Sequence, residues 1–313
     1  MAGAGSDNAV PTRPVGRWAL PALFVGAAGI SFAPILVRLS EAGPTATAFW
    51  RIALSLPVLA LLMARTPAAE GHRSRLSGRA WAGLIATGLF FAADLGVWHW
   101  SIRYTTVANA TLFANFAPIF VTFAAFLLFH ERFSGFFYMG LVCATLGAAI
   151  LMGASLSLDP RYLLGDLLGL ATAVFYAGYL MTVGRLRARI STLTLMFWSG
   201  LVSTLALLPT ALATGEPMLP VSGAGWAVLA ALALVSQVLG QSLIAYALAH
   251  LSAAFGAVNL MLQPVLAILL AWGLLSESLG GRQIIGAVVV LIGLFFAHRG
   301  RPASPGETPA RPA

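Results

Sequence analysis

The sequence predicts an all-α membrane protein: ten transmembrane helices arranged as two inverted five-helix repeats. Three observations predict it. Of 313 residues, 59% are hydrophobic and 9% are charged. A soluble domain carries roughly 25% charged residues, so this chain needs lipid as the solvent for its apolar side chains. Ten continuous apolar runs each approach the about 20 residues that a helix needs to cross the hydrocarbon core. The chain also repeats itself at a constant offset of 146 residues.

In the first half the runs lie near 18–38, 45–64, 79–101, 106–128 and 134–154. In the second they lie near 163–184, 192–213, 224–248, 252–275 and 281–298. The first repeat therefore covers 18–154 and the second 163–298, and the Pro-, Ala- and Gly-rich stretch 299–313 reads as a disordered cytoplasmic tail. The run from Trp18 to Val37 exceeds the about 7–15 apolar residues of a signal-peptide core, and the repeat gives it a partner, so it is read as structural. The longest polar connection, Arg65 to Arg79, is too short for a domain. Helices are favoured over a barrel because the runs are continuously apolar and do not alternate.

Arginine placement sets the direction of insertion. The net charge of +8 is carried by 18 arginines with no lysine. With the N-terminus inside, Arg13, Arg17, Arg65, Arg73, Arg75, Arg79, Arg132, Arg185, Arg187, Arg189, Arg299, Arg301 and Arg311 fall on the cytoplasmic side. Arg38, Arg103, Arg161 and Arg282 fall on the other, with Arg51 inside a run. The positive-inside bias then puts both termini in the cytoplasm, as expected for a bacterial inner-membrane protein. Basic residues scattered through short loops fit this bias and do not form a nucleic-acid footprint. The lone Cys143 allows no internal disulfide, and no metal-ligand cluster or cofactor motif is present.

At the 146-residue offset Pro118 matches Pro264, Glu131 matches Glu277, and Gly140 and Gly147 match Gly286 and Gly293. Each unit has an odd number of spans, so the copies enter the membrane from opposite sides. Inverted repeats are a common architecture of secondary transporters, whose substrate site lies near the midplane between the repeats. The absence of H-E-x-x-H, G-x-S-x-G and a P-loop argues against an intramembrane enzyme and against direct ATP drive. A non-transporting receptor is the remaining reading from another class.

The residues also resemble a known family. The marks are Phe49-Trp50-Arg51, Ala117-Pro118-Ile119, Phe129-His130-Glu131-Arg132 and the Gly-rich run Gly140–Gly153. The second copy shows Gly165-Asp166, Gln263-Pro264-Val265, Leu275-Ser276-Glu277 and the run Gly286–Gly293. Together they resemble the EamA domain, which occurs twice in ten-helix members of the drug/metabolite transporter superfamily, and among these the YddG-like amino-acid exporters. One departure is Gly29-Ile30-Ser31, where many members carry a tryptophan-glycine pair. The resemblance implies a cavity lined by spans 1, 3, 4, 6, 8 and 9, and export of amino acids, aromatic and other neutral ones included. Export or import of another metabolite or of a drug-like compound is the alternative.

Polar side chains inside apolar spans are costly and often functional. Asn109, Phe113 and Ala117 share one helix face, and the offset maps them onto Phe255, Asn259 and Gln263. Gln237 and Gln241 lie one turn apart, as do Tyr176 and Tyr179 with Thr172, and Trp98 stands one turn from Asp94. These residues are candidates for a cavity wall that binds a zwitterionic or polar organic substrate. The alternative is hydrogen bonding between packed helices and, for Trp98, an interfacial aromatic belt. Asp94 and Arg51 are the charges placed deepest, and His99 is a further candidate proton carrier. Mutual pairing that stabilises the fold is the expectation for Arg51, because span 2 is peripheral in the family. The sharper alternative gives Arg51 a substrate carboxylate and Asp94 an amino group or a proton. Pro34, Pro118 and Pro264 each remove a helix hydrogen bond and are read as hinges. Glu131 and Glu277 are read as packing or capping groups at span ends, and the matched glycines as sites of close helix packing.

Overall fold

The computed structural model describes residues 16–66, 76–105, 107–153, 160–275 and 279–300. Ser276, Glu277, most of the 65–79 connection and the tail beyond Gly300 lie outside the described residues, as do Arg13, Arg73, Arg75, Arg301 and Arg311. Among the described residues, ten spans are long and apolar enough to cross a membrane. Spans 1 to 5 are Ala19–Arg38, Pro44–Arg65, Gly78–Ser101, Asn109–Phe129 and Gly135–Met152. Spans 6 to 10 are Pro160–Arg187, Thr192–Ala213, Gly223–Ala247, Ala253–Leu274 and Gly281–Arg299. Because the spans alternate in direction, odd ones finish at the end of the bundle that carries Glu41. Even ones finish at the end that carries Ser134.

Local sequence sets where the helices start and break. Ser77, Ser134, Ser191, Ser222 and Ser252 each accept a hydrogen bond from the backbone N–H three residues on, capping spans 3, 5, 7, 8 and 9. Proline accompanies the breaks in four spans. Span 1 divides into Ala19–Ser31 and Ala33–Arg38 ahead of Pro34, and span 2 into Pro44–Ala53 and Ser55–Arg65 ahead of Pro57. Span 4 divides into Val107–Ala114 and Ala117–Phe129 around Pro118, and span 9 into Ala253–Leu260 and Leu262–Leu275 around Pro264. A proline lacks the N–H that would close the turn behind it, so the carbonyl four residues earlier is released. Span 8 is irregular for a different reason: its middle, Leu232–Gln241, is π-helical.

Spans 5 and 10 pack along their matched glycines. A Cβ on Gly140 would meet the backbone of Ala297 and Gly293, and one on Gly293 the backbone of Ala144 and Gly140. Gly147 and Gly286 repeat the arrangement against Val290 and Leu151. Backbone-to-backbone approach of this kind is how helices gain dispersion energy in lipid, where no hydrophobic effect separates one apolar surface from another. The outward faces carry Phe123, Leu127, Leu128, Val142, Leu205 and Leu212, all largely exposed in the isolated chain and suited to acyl chains.

Candidate functional site

Between the repeats lies a cavity of about 600 Å³, within the roughly 300–1,000 Å³ usual for small-molecule sites. Spans 1, 3, 4, 6, 8 and 9 line it, and spans 2, 5 and 10 add Arg51, Met152 and Gln283. Most of its wall lies between the middle of the bundle and the Glu41 end: Val37 closes span 1, Trp98 and His99 lie near the end of span 3, and Gln283 opens span 10, while Gln241 reaches past the middle of span 8.

Toward the other end, side-chain contacts among the described residues draw the spans together. Asn259 Nδ2 donates to the carbonyl of Phe255 at 2.8 Å, and Asn259 Oδ1 meets His298 Nε2 at 2.7 Å. The His298 ring stacks on Phe24 at 6.2 Å and leans on Phe255 at 5.0 Å, so spans 1, 9 and 10 meet there. Arg187 bonds the carbonyls of Ala245 and Ile190, joining span 6 to span 8. Nearby, burial pushes the Glu131 carboxyl above the ordinary carboxylate range, with Arg185 opposing it.

Loop ties flank the cavity at the Glu41 end. Glu41 accepts from the Ser222 hydroxyl at 2.6 Å and from the amides of Val221 and Ser222 at 2.9 Å. These bonds, the Ser222 hydroxyl first, hold the Glu41 carboxyl below its ordinary value. Glu216 accepts from the Thr45 amide and pairs with Arg103, and the Trp50 indole donates to Met218 O at 2.7 Å.

Inside the cavity the polar groups are few and unevenly satisfied. Arg51 and Asp94, both buried, sit in the wall. Among the described residues no direct ion pair joins them. Arg51 Nε instead donates to Gln237 Oε1 at 3.1 Å, and its guanidinium lies 6.0 Å from the Phe91 ring centre. His99 Nδ1 lies 2.6 Å from the Leu95 carbonyl. A carbonyl can only accept, so Nδ1 carries a hydrogen, and in the neutral ring Nε2 is an acceptor. That Nε2, together with Gln241 Oε1 and Gln263 Nε2, is buried without a hydrogen-bond partner. All three residues line the cavity. Leaving such atoms unsatisfied costs about 1–3 kcal/mol each, and a ligand that bonded them would recover it.

Of the residues singled out from the sequence, Asp94, Trp98, Tyr176, Gln241, Gln263, Pro34 and Pro264 lie in the wall. Gln237 and Tyr179 stand directly behind it: Gln237 holds Arg51, and Tyr179 stacks on Tyr176 at 5.9 Å and on Phe91 at 4.7 Å. Asn109, Phe113, Pro118 and Asn259 are placed elsewhere. Asn109 donates to Asp166 Oδ1 at 3.0 Å, beside Thr105 at 2.7 Å, and Phe113 packs on Gly169 of span 6. The face of span 4 turned to the cavity carries Thr111, Ala114 and Asn115, about half a turn from the Asn109 stripe. The expected direct pairing of Arg51 with Asp94 is likewise replaced by the Gln237 bond. Thr111 and Asn115 are a polar pair at i, i+4 that periodicity alone could have flagged. The bond across 186 residues from Arg51 to Gln237 leaves no such trace.

Distant relatives of the chain are known. The pseudopaline exporter CntI of Pseudomonas aeruginosa is 28% identical over 276 residues, covering 87% of this chain and 93% of that protein. A protein of Streptantibioticus cattleyicolor, named as a probable terminal-alkyne amino-acid exporter, is 28% identical over 204 residues, 64% of this chain and 67% of its own. A crystal structure superposes with a TM-score of 0.76 at 19% identity, over 89% of this chain and 96% of that one, which shows a shared fold. The EamA-like transporter family model matches twice, over residues 17–153 and 163–298, and the chain belongs to that family.

Proposed function

We propose that the chain is a secondary exporter of amino acids or amino-acid-like metabolites that works by alternating access, with the cavity as its substrate chamber. The carrying observation is the wall chemistry. A guanidinium, Arg51, bonded only to the neutral Gln237, and the Asp94 carboxyl share one chamber with the unpartnered His99 Nε2, Gln241 Oε1 and Gln263 Nε2. A zwitterion supplies a group for each charge, and a polar side chain would serve the orphaned amides. Phe91, Leu95, Trp98, Ile30 and Ile268 form an apolar wall against which a neutral or aromatic side chain would lie. The names of the two relatives, both exporters, support the direction of transport.

With arginines biased to the cytoplasm, the Glu41 end faces outward and the cavity belongs to an outward-open state of a bacterial inner-membrane protein. Return to the inward-open state breaks the Asn259–His298 seal and closes the chamber mouth. Pro34 and Pro264, at broken helices in the wall, and Pro118, at the matching break in span 4, are the hinges of that motion.

The test is flux in liposomes. Purified protein is reconstituted and uptake of labelled amino acids is followed with and without a pH gradient. Saturable uptake whose KM rises about tenfold in Gln241→Leu or Gln263→Leu, the size expected for one lost hydrogen bond, supports the reading. Folded protein that moves no amino acid overturns it and turns the search to other metabolites and drug-like compounds.

A further inference from the structure

The π-helical middle of span 8 is the least expected element of the fold. π-turns are rare, and where they occur inside helices they concentrate at functional sites. This one covers the ten residues Leu232–Gln241. It is held against span 1: Ser236 Oγ donates to the Gly29 carbonyl at 3.0 Å. A Cβ on Gly29 would lie 3.0 Å from Val235 O, and one on Gly240 would lie 3.2 Å from Gly26 O. Midway between these contacts Gln237, 1% exposed, presents Oε1 to Arg51 Nε.

The bond has two chemical consequences. An arginine grips a carboxylate either through Nε and one Nη or through both Nη atoms. With Nε committed to Gln237, only the two terminal nitrogens remain, and among the described residues they have no other hydrogen-bond partner. The holder is also neutral. An amide fixes the guanidinium without cancelling its charge, whereas a carboxylate at the same place would satisfy it and remove its appetite for an anion.

We propose that Gln237 is a positioning residue: presented by the π-helical turn, it holds Arg51 charged and end-on to the cavity, and so makes the site select substrates that carry a carboxylate. The inference rests on the functional reading above and adds the group that sets its selectivity.

The experiment compares L-phenylalanine with phenethylamine, the same molecule without its carboxylate, in proteoliposomes. Wild-type protein takes up labelled L-phenylalanine, and unlabelled phenethylamine competes at least about tenfold less well, the loss expected for one charge-assisted hydrogen bond. Gln237→Glu is near-isosteric and gives Arg51 a stronger partner, so a residue with only a structural role would keep or raise thermal stability and leave selectivity alone. The expectation is instead that the preference for L-phenylalanine falls by about tenfold or more while the melting temperature in detergent holds. Gln237→Met, which frees Nε and keeps the charge, should raise KM for L-phenylalanine with little change in maximal rate. Unchanged selectivity in both folded variants overturns the proposal, as does loss of fold in both, which would make Gln237 a structural residue. A wild-type protein that transports no amino acid at all overturns the functional reading itself, a different outcome from transport that ignores Gln237.

Discussion

Asp166 opens span 6 and ties it to the neighbouring helices. Its Oδ1 accepts from Thr105 Oγ1 at 2.7 Å and from Asn109 Nδ2 at 3.0 Å, and next to it the Gly165 carbonyl accepts from Ser101 Oγ at 2.6 Å. Replacing Asp166 with alanine removes one acceptor from two donors. A hydrogen bond to a charged group contributes about 1.5–3 kcal/mol in water-soluble proteins. Interhelical hydrogen bonds in a membrane average about 0.6 kcal/mol, because the unfolded chain in lipid finds other partners. The site lies between these limits. It sits at a helix end where water competes, but Asn109 is fully buried and Thr105 nearly so. Asp166→Ala should therefore cost about 1–3 kcal/mol of stability, and a cycle with Asn109→Ala should show a coupling of about 1 kcal/mol. The assay is reversible unfolding in mixed micelles with increasing SDS. A loss under about 0.5 kcal/mol, the ordinary scatter of surface substitutions, or strict additivity of the two changes would refute the reasoning. So would a large KM effect of Asn109→Ala at unchanged stability, which would return Asn109 to the cavity.

Three further outcomes follow from the same geometry. Gly293→Leu forces a side chain into the backbone of Ala144 and Gly140 and should cost at least about 1–3 kcal/mol, whereas Gly273→Leu, with open space around its Cα, should be close to neutral in the same unfolding assay. The Glu41 carboxyl is held below its ordinary value in the folded protein, so its tie to Val221 and Ser222 is present above the ordinary carboxylate range. The tie is lost as pH falls through the depressed value; hydrogen exchange at the Val221 and Ser222 amides should accelerate there beyond its intrinsic pH dependence, and Glu41→Gln should abolish the step. Asn259→Leu removes the acceptor for His298 and should shift the population toward the state open at the Ser134 end, read as faster thiol labelling of a cysteine placed at Phe24.

The spans could be counted from the sequence because lipid allows so few ways of hiding a backbone. Runs of twenty apolar residues leave the helix as the economical answer, and proline then marks where it breaks. Rotation of each helix about its axis was harder to read. On span 4 the conspicuous residues Asn109 and Phe113 turn to span 6, while the less conspicuous Thr111 and Asn115 turn to the cavity. In a helix that is apolar on all sides, hydrophobic periodicity carries almost no rotational information, so polar residues are the only guide, and they satisfy interhelical bonds as readily as they line a chamber. The partner of Arg51 was illegible for a related reason. A buried guanidinium calls for an oxygen, and Asp94 was the charge nearest in depth; that Gln237 supplies it depends on the π-helical turn, which has no sequence signature.

The repeat makes the two ends of the bundle counterparts of each other, and the chemistry at matched positions differs. At the 146-residue offset Asn259 and His298 correspond to Phe113 and Met152. The first pair seals the Ser134 end with a directional bond, and of the second pair Met152 lies in the wall of the open chamber. Because Asn259 Nδ2 is committed to the Phe255 carbonyl, its Oδ1 can only accept, and His298 Nε2 must carry a hydrogen for the seal to form. An apolar pair makes no such demand: closure over Phe113 and Met152 would rest on dispersion and packing alone. Two copies of one fold thus carry different chemistry at matched positions, and their two ends would close by different physics. The polar pair stands where spans 1, 9 and 10 meet, and it alone demands a directional bond.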